Sequence, residues 1–532
     1  MRQKILLTLL LSTLCGLAFS ITPDSSAFRR PLPPRTHKPL PKVHLQQRDQ
    51  LTLTNLVVFI RFADDEEITQ TFDNINNMFN DQTEGAESVY NYFDAMSYGK
   101  IHYNTVYTNQ INGSTVVSYC DPHPRSYFEP YSASNPNGYP PFPAESVCPR
   151  EMQLLADALH YIDSLHLVDP SINLDGNDDG LIDNVSFIIK GGCGNWADLL
   201  WPHMEFFSQD SLNLPYTIAI NGKIPYTYNF ELEASGYYFS ANVFCHEMCH
   251  SLGLPDFYHY YHYTSISPVS TWDIMGQNCL QQLSTILKYK FLGIVDEPIE
   301  ITEDGTYTLY SNAGADYQNC YYIRSAIDST QWYTFEYRNK NDFMDNVSSS
   351  GLIVGRWVDT MDVNDIYNSG DAMFDFYNSA HGYWVFRPGS NVDTINGDVY
   401  RANFTQNELR TSFGPTTDPH PYLTDGTPET SFEITDIREE GSTLSFHVHF
   451  LNVGIAEQES DRLRIYPNPA SDQLYVEGSD IQSLSLCDLL GKTICTLSGS
   501  QNSINISTLP SGVYWLRVTT SSGIVTKKIV KK

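Results

Sequence analysis

The sequence predicts an α+β fold in three consecutive parts: a mixed helix-and-strand domain over residues 51–300, a β-rich region over 301–450 and a small immunoglobulin-like β-sandwich over 461–532. Three observations predict it. Buried-strand and amphipathic-helix patterns alternate through the first part. Beyond residue 301 the pattern changes to short strands separated by turn residues. Aromatic side chains make up 13% of the 532 residues, with 35 Tyr, a composition that suits pleated sheet surfaces. The length itself exceeds one ordinary domain and accommodates three.

Residues 1–20 read as a signal peptide: Arg2 and Lys4, an apolar core, then Ala18-Phe19-Ser20 as a small-x-small cleavage site. Residues 21–50 hold six Pro and six Lys or Arg against two Asp, so they bury little and run extended, as a propeptide or a linker. Asn55 to Phe62 is a near-continuous apolar run, the pattern of a strand buried on both faces. Ser88 to Tyr98 reads as a helix ended by Gly99, Ile101 to Tyr107 as a strand, and residues 150–168 as a helix.

Asp175-Gly176-Asn177-Asp178-Asp179-Gly180-Leu181-Ile182-Asp183 matches the first part of an EF-hand-type loop. Side-chain oxygens fall at positions 1, 3, 5 and 9, the Leu181 carbonyl at 7, and Gly at 6. Position 12 is Ser186 instead of the usual bidentate Glu, and a strand, Val185 to Ile189, follows. The expectation is a structural Ca²⁺ held by Asp175, Asn177, Asp179, Leu181 and Asp183; the alternative is an acidic turn.

The rest of the first part is arranged around Phe244 to Asp256, which reads HExxHxxGxxD. Residues four apart share a helix face, so His246 and His250 can grip one Zn²⁺ with Glu247 beside them. Phe244, Met248 and Leu252 form a core row at the same spacing, Ser240 is a candidate N-cap, and Gly253 and Pro255 end the helix. The chain then turns back, which brings Asp256 up as a third ligand. Asp273, two residues before Met275, competes for that place, or else braces the turn or orients an imidazole. A zinc with three protein ligands keeps a position for water, and Glu247 is placed to take that water's proton. Trp201-Pro202-His203 precedes the helix, with His203 a weaker site candidate. A Tyr- and His-rich run at 258–263 follows it, and 281–292 read as one more helix.

Seven strands are expected between 301 and 450: 306–311, 321–325, 333–337, 352–357, 383–387, 431–437 and 443–450. After a polar linker at 451–460, seven more fall within 461–532. The net charge of −30 argues against nucleic acid as a partner, since phosphate binding wants basic patches. No apolar run after the N-terminus is long enough to span a bilayer. Ten cysteines are present, and Cys15 falls in the leader. Cys120 and Cys148 flank a Pro- and Tyr-rich loop and are the best disulfide candidates. Cys245 and Cys249 read as small buried apolar groups.

Residues 51–450 resemble the secreted zinc metallopeptidases of the immune inhibitor A family. The matching pieces are Leu56–Phe62, Ser88 to Lys100, the loop 175–183, Trp201-Pro202-His203, His246 to Asp256 and Trp272-Asp273-Ile274-Met275-Gly276. The resemblance implies a metzincin-like fold in which a methionine turn at Met275 underlies the metal. It also implies an exported endopeptidase with zinc and calcium, His246 and His250 as ligands and Glu247 as catalytic base. The sequence departs from the family's pattern at His259, where an Asp is common. Tyr466-Pro467-Asn468-Pro469-Ala470, Leu509 to Tyr514 and the Lys-rich end resemble the C-terminal sorting domain of type IX secretion cargo. That implies export through the periplasm and outer membrane of a Gram-negative cell, with the type IX machinery and protein or peptide substrates as partners. The competing reading is a surface adhesion or binding protein with a non-catalytic metal site, against which the intact Glu247 argues.

Overall fold

The computed structural model describes residues 50–532 except 109–110, 113–114, 140–146, 193–199, 201, 208–211, 213, 215–216, 234–238, 259–265, 278, 312–318, 348, 360–381, 394, 452–463, 479–480, 489–491, 500–501 and 521–522. The expected signal peptide at 1–20, nearly all of 21–50, residues 452–460 of the expected linker and the Tyr- and His-rich run from 259 lie outside the described residues. The chain divides into two compact units, 1–450 and 451–532.

The first unit begins on a mixed sheet. Its strands are β1 (Leu51–Arg61), β2 (Ile101–Tyr107), β3 (Tyr119–Cys120), β4 (Asn184–Ile189), β5 (His203–Phe206) and β6 (Thr227–Leu232). They lie in the order β2-β1-β4-β6-β5, with β3 beside the end of β1. All pair parallel except β5, which closes one edge antiparallel to β6. Helices α1 (Phe72–Asn80), α2 (Val89–Met96), α3 (Val147–Ser164) and α4 (Ala241–Ser251) cover it. Leu51, Leu53, Val57 and Phe59 of β1 join the core beneath α1, α2 and α4. Leu56, Val58, Ile60 and Phe62 join the opposite core, against α3. Burial on both faces is why Leu56 to Ile60 of β1 reads as an unbroken apolar run.

Two local expectations need correction, and one helix has no counterpart in the sequence pattern. That helix is α1: in FDNINNMFN only Ile75 and Phe79 are buried. Its start is set by Thr71, whose side chain accepts from the Asn74 N–H. Helix α3 ends at Ser164, short of 168, where His166 turns to φ +52°. Residues 281–292 are not one α-helix. A single turn, Thr285–Leu287, widens into π-helix over Lys288–Leu292 and stops at left-handed Gly293. The wide turn carries a fully buried lysine, Lys288, whose Nζ reaches the Tyr98 hydroxyl at 3.1 Å and the Gln282 Oε1 at 3.2 Å. Cys120 carries a free thiol, and the side chain of its expected partner Cys148 lies outside the described residues.

The β-rich region contributes β7 (Ile299–Glu300), β8 (Gly305–Tyr310), β9 (Cys320–Arg324), β10 (Gln331–Arg338), β11 (Gly351–Val358), β12 (Tyr383–Val385), β13 (Phe432–Glu440) and β14 (Thr443–Phe450). They form a five-stranded sheet, β7-β9-β10-β11-β12, and a three-stranded sheet, β8-β14-β13. Tyr333, Phe335 and Tyr337 of β10 point into the core between these two sheets. Trp332 of β10, with Tyr322, Ile353 and Trp357 of its neighbours, instead joins the core that contains α4 and Met275. The region at 301–450 therefore shares a core with the first part of the chain.

The second unit contains β15 (Arg464–Tyr466), β16 (Gln473–Glu477), β17 (Ile481–Cys487), β18 (Thr493–Ser498), β19 (Ser503–Asn505), β20 (Gly512–Thr520) and β21 (Gly523–Lys531). A three-stranded sheet, β15-β16-β19, and a four-stranded sheet, β18-β17-β20-β21, share one core through Leu474, Ile504, Leu486 and Leu516.

Candidate metal centre

Phe244, Met248 and Leu252 are all buried in the core beneath α4, and this row fixes the roll of the helix. Ser240 stands at the N-cap position in extended backbone but makes no side-chain capping hydrogen bond. At the other end Gly253 takes φ +98°, a conformation that strains any residue with a Cβ. Its N–H donates to the His250 carbonyl at 2.9 Å, and the Leu254 N–H to Cys249 at 3.1 Å.

That reversal returns the chain over the two histidines. The Asp256 Oδ1 lies 3.1 Å from the His246 Nε2 and 3.2 Å from the His250 Nε2. The other ring nitrogens face carbonyls: His246 Nδ1 is 2.8 Å from the Ile274 oxygen and His250 Nδ1 2.7 Å from the Leu254 oxygen. A carbonyl only accepts, so both Nδ1 atoms carry a proton and both Nε2 atoms face inward, where each can give a lone pair to a cation that displaces its proton. Ligands about 2.0–2.1 Å from a tetrahedral zinc lie roughly 3.3 Å apart, close to both distances from the Asp256 oxygen to the histidine nitrogens. The residues present fit such an ion. Glu247, only 6% exposed, also brings a carboxylate oxygen within 4.8 Å of the His246 and His250 nitrogens. The Asp256 oxygen is the nearer carboxylate to both rings, and Glu247 stands beside that trio.

The electrostatics are those of a cation site. Burial disfavours a charged imidazole at His246, but the Asp256 hydrogen bond and the charges of Glu247 and Asp256 outweigh it and lift the group to about 9. Burial would raise Asp256, yet the facing imidazoles hold it far below the usual carboxylate range.

Asp273 points elsewhere. Its Oδ1 accepts from the Met275 N–H at 2.9 Å, and its Oδ2 accepts the N–H and hydroxyl of Ser284, both at 2.7 Å. Met275 is fully buried beneath α4. Ile274 receives His246, and the Met275 carbonyl receives the Phe257 N–H at 2.7 Å. The turn 272–276 thus underlies both the helix and the returning loop. The β-rich region grips it in turn. The Trp272 Nε1 donates to the Val399 carbonyl at 2.6 Å, and Arg338 donates to the carbonyls of Trp272 and Gln282 at 3.2 and 3.3 Å. Arg338 also pairs with Glu336 and Asp345, an arrangement the sequence does not announce.

In the loop at 175–183, Asp175 accepts the N–H groups of Asp179 and Gly180, each at 2.9 Å. Asn177 accepts Asp179 at 3.1 Å, and Asp179 accepts Leu181 at 2.8 Å. Asp183 accepts Thr54 and Gly176 with one oxygen, both at 2.8 Å, while its other oxygen is buried without a hydrogen-bond partner. Burial, opposed by those amides and reinforced by the Asp175 charge, pushes the Asp183 carboxyl up to about 7. An orphaned carboxylate oxygen beside an ordered acidic loop fits a hard cation. Lys223, which the sequence reading passed over, places its Nζ on Asp175.

His203 is not brought to the centre. Its Nε2 lies 2.9 Å from the Glu151 Oε1, which also accepts the Tyr228 hydroxyl, so it ties the edge strand β5 to α3. Cys245 and Cys249 are buried thiols whose ionisation burial pushes up, consistent with apolar packing. The sheet face under α4 is unexpectedly polar. Asn184 donates to the Oδ1 atoms of Asn55 and Asn229 at 2.8 and 2.6 Å, and the Ser251 hydroxyl of α4 donates to Asn184 at 2.8 Å. Two places along β6 from Asn229 lies Glu231, fully buried.

Residues 172–282, which span the acidic loop, α4 and the Met275 turn, match the family model described as Immune inhibitor A peptidase M6, catalytic domain. Residues 464–532 match the Secretion system C-terminal sorting domain. The comparison with curated proteins finds no match. Among solved structures, PorZ, an essential bacterial surface component of the type-IX secretion system of Porphyromonas gingivalis, is 13% identical with a TM-score of 0.13, over 42% of this chain. The chain spans 32% of the length of that protein. Among the described residues no helix is long and apolar enough to cross a membrane.

Proposed function

We propose that this chain is an exported zinc-dependent endopeptidase that hydrolyses internal peptide bonds of proteins. One observation carries the reading: His246, His250 and Asp256 converge three donor atoms beside Glu247, inside a segment that matches a peptidase catalytic domain. These three residues would hold the ion. When bound, zinc polarises a carbonyl and acidifies water. Glu247 takes the proton of the attacking water and passes it to the leaving amine. The Ile274 and Leu254 carbonyls keep the imidazoles oriented while this happens, and Asp273 keeps the turn beneath them in shape.

A Ca²⁺ ion at Asp175, Asn177, Asp179, the Leu181 carbonyl and Asp183 would tie the loop to β4. The sorting-domain match supports export by the type IX machinery of a Gram-negative cell, to the surface or beyond. Residues 1–20 then serve as signal peptide and 21–50 as propeptide or linker. The metzincin-like fold and the immunoglobulin-like character of the second unit belong to the same reading. Casein hydrolysis by the purified full chain, abolished by a zinc chelator and restored by zinc, tests it. A metal-loaded chain that leaves casein and unfolded peptides uncut would favour the adhesion reading.

A further inference from the structure

The row of β6 that faces α4 carries a group the centre described above does not use. Glu231 is 0% exposed, and neither of its carboxyl oxygens has a hydrogen-bond partner. Its neighbours in the row are engaged: the Asn229 Oδ1 accepts from Asn184 and Ser186, and Glu233 accepts the N–H of Gln70 at 2.9 Å and pairs with Lys190 at 3.2 Å. A buried polar group without a partner costs free energy, and an apolar side chain of similar size would pack there without that cost. Glu231 therefore does nothing for the fold that leucine would not do better. Groups of this kind that persist in a well-packed interior are found at functional sites.

Helix α4, which carries Glu247, packs over β6, and the Glu247 charge acts on Glu231. Burial first, and that charge second, push the Glu231 carboxyl well above the ordinary carboxylate range, so it keeps its proton. A neutral acid beside a carboxylate supplies a charge-assisted hydrogen bond. The Asn229 Nδ2 is buried and likewise lacks an acceptor, so a single water between Asn229 and Glu231 would have both donors and acceptors to satisfy.

We infer that Glu231 is a positioning residue for Glu247: a buried carboxylic acid that donates its O–H, through one buried water, to the base's carboxylate and holds it toward the attacking water. The proton stays on Glu231 throughout, so no bond is made or broken there. This rests on the endopeptidase reading above.

The test compares Glu231→Leu, Glu231→Gln and the wild-type full chain for bound zinc, melting temperature and steady-state hydrolysis of a fluorogenic peptide. In the leucine variant zinc content should be unchanged and the melting temperature equal or higher. Its kcat should fall at least about tenfold, with KM moving less than about twofold. The glutamine variant keeps a neutral donor and should recover to within about threefold of wild type. A leucine variant that turns over like wild type overturns the role. So does a glutamine variant as slow as leucine, or a leucine variant that melts lower or loses zinc, since either would make Glu231 a structural group. A wild-type chain without zinc-dependent activity would instead remove the endopeptidase reading, and the positioning role with it.

Discussion

The amide nitrogen of Phe257 lies 2.7 Å from the carbonyl oxygen of Met275, so the residue after Asp256 is fastened to the turn that also receives His246 through Ile274. Helix, returning loop and turn form one frame, and the donor atoms of His246, His250 and Asp256 are held from below before any ion arrives.

Asp256 and Asp273 should separate cleanly in metal analysis. Asp256→Ala is expected to lose zinc on dialysis against a mild chelator. Asp273→Ala should keep most of its zinc but melt earlier, because the Met275 and Ser284 N–H groups lose their acceptor, at about 1–3 kcal/mol for each buried group left unpaired. The reverse order of zinc loss would move the third ligand to Asp273.

Glu247→Ala should leave fold and zinc content intact and remove peptide hydrolysis, by a factor of about 10²–10⁴ if proton transfer is its task. Turnover within a few-fold of wild type, read with the zinc-loaded variant, would exclude Glu247 as the base.

Calcium should stabilise the chain more at pH 8 than at pH 5.5. Burial carries the Asp183 carboxyl from its ordinary 3.8 up to about 7 in the folded chain. Between those values the unfolded chain has released a proton that the folded chain still holds, so stability falls as pH rises through this window. Above it Asp183 is charged, and a cation at its orphaned oxygen repays the cost. The gain in melting temperature from millimolar calcium, measured at both pH values, should follow that order; an equal gain at both would place calcium elsewhere.

Arg338→Met should cost about 3–5 kcal/mol, since it leaves the Glu336 and Asp345 carboxyls buried without their cation. Urea denaturation reads this directly. A cost below about 1 kcal/mol, the range of exposed pairs, would show that the cluster is solvated in solution.

Deletion of 464–532 should leave casein hydrolysis by the remaining chain unchanged in a lysate while the protein accumulates in the periplasm. Normal appearance of the truncated chain outside the cell would refute the sorting role.

The parts that were legible in the sequence are those where one local pattern has one outcome. HExxH at helical spacing places His246 and His250 on one face, Gly253 permits the reversal, and the period-2 strands beyond 301 lie within two residues of where the pattern puts them, except where β13 runs on to Glu440. What was not legible depends on residues distant in the chain. Lys223 meets Asp175 across 48 positions, Arg338 meets Trp272 across 66, and Glu231 acquires meaning only from the helix laid over it. Helix α1 escaped because two buried side chains, Ile75 and Phe79, suffice when a sheet is already there to receive them. The π-helical turn escaped because Lys288 and Lys290 both read as surface residues, whereas Lys288 is buried.

The grip of the β-rich region on the Met275 turn also sets a clock. Trp272 and the Val399 carbonyl that receives it are separated by 127 positions. A chain made from its N-terminus at about 5–20 residues per second presents His246, Glu247 and His250 several seconds to half a minute before the strands that brace them exist. During that interval the cell holds a nascent chain with these side chains but not the frame that brings them together, and the centre is completed only when nearly the whole unit has been delivered.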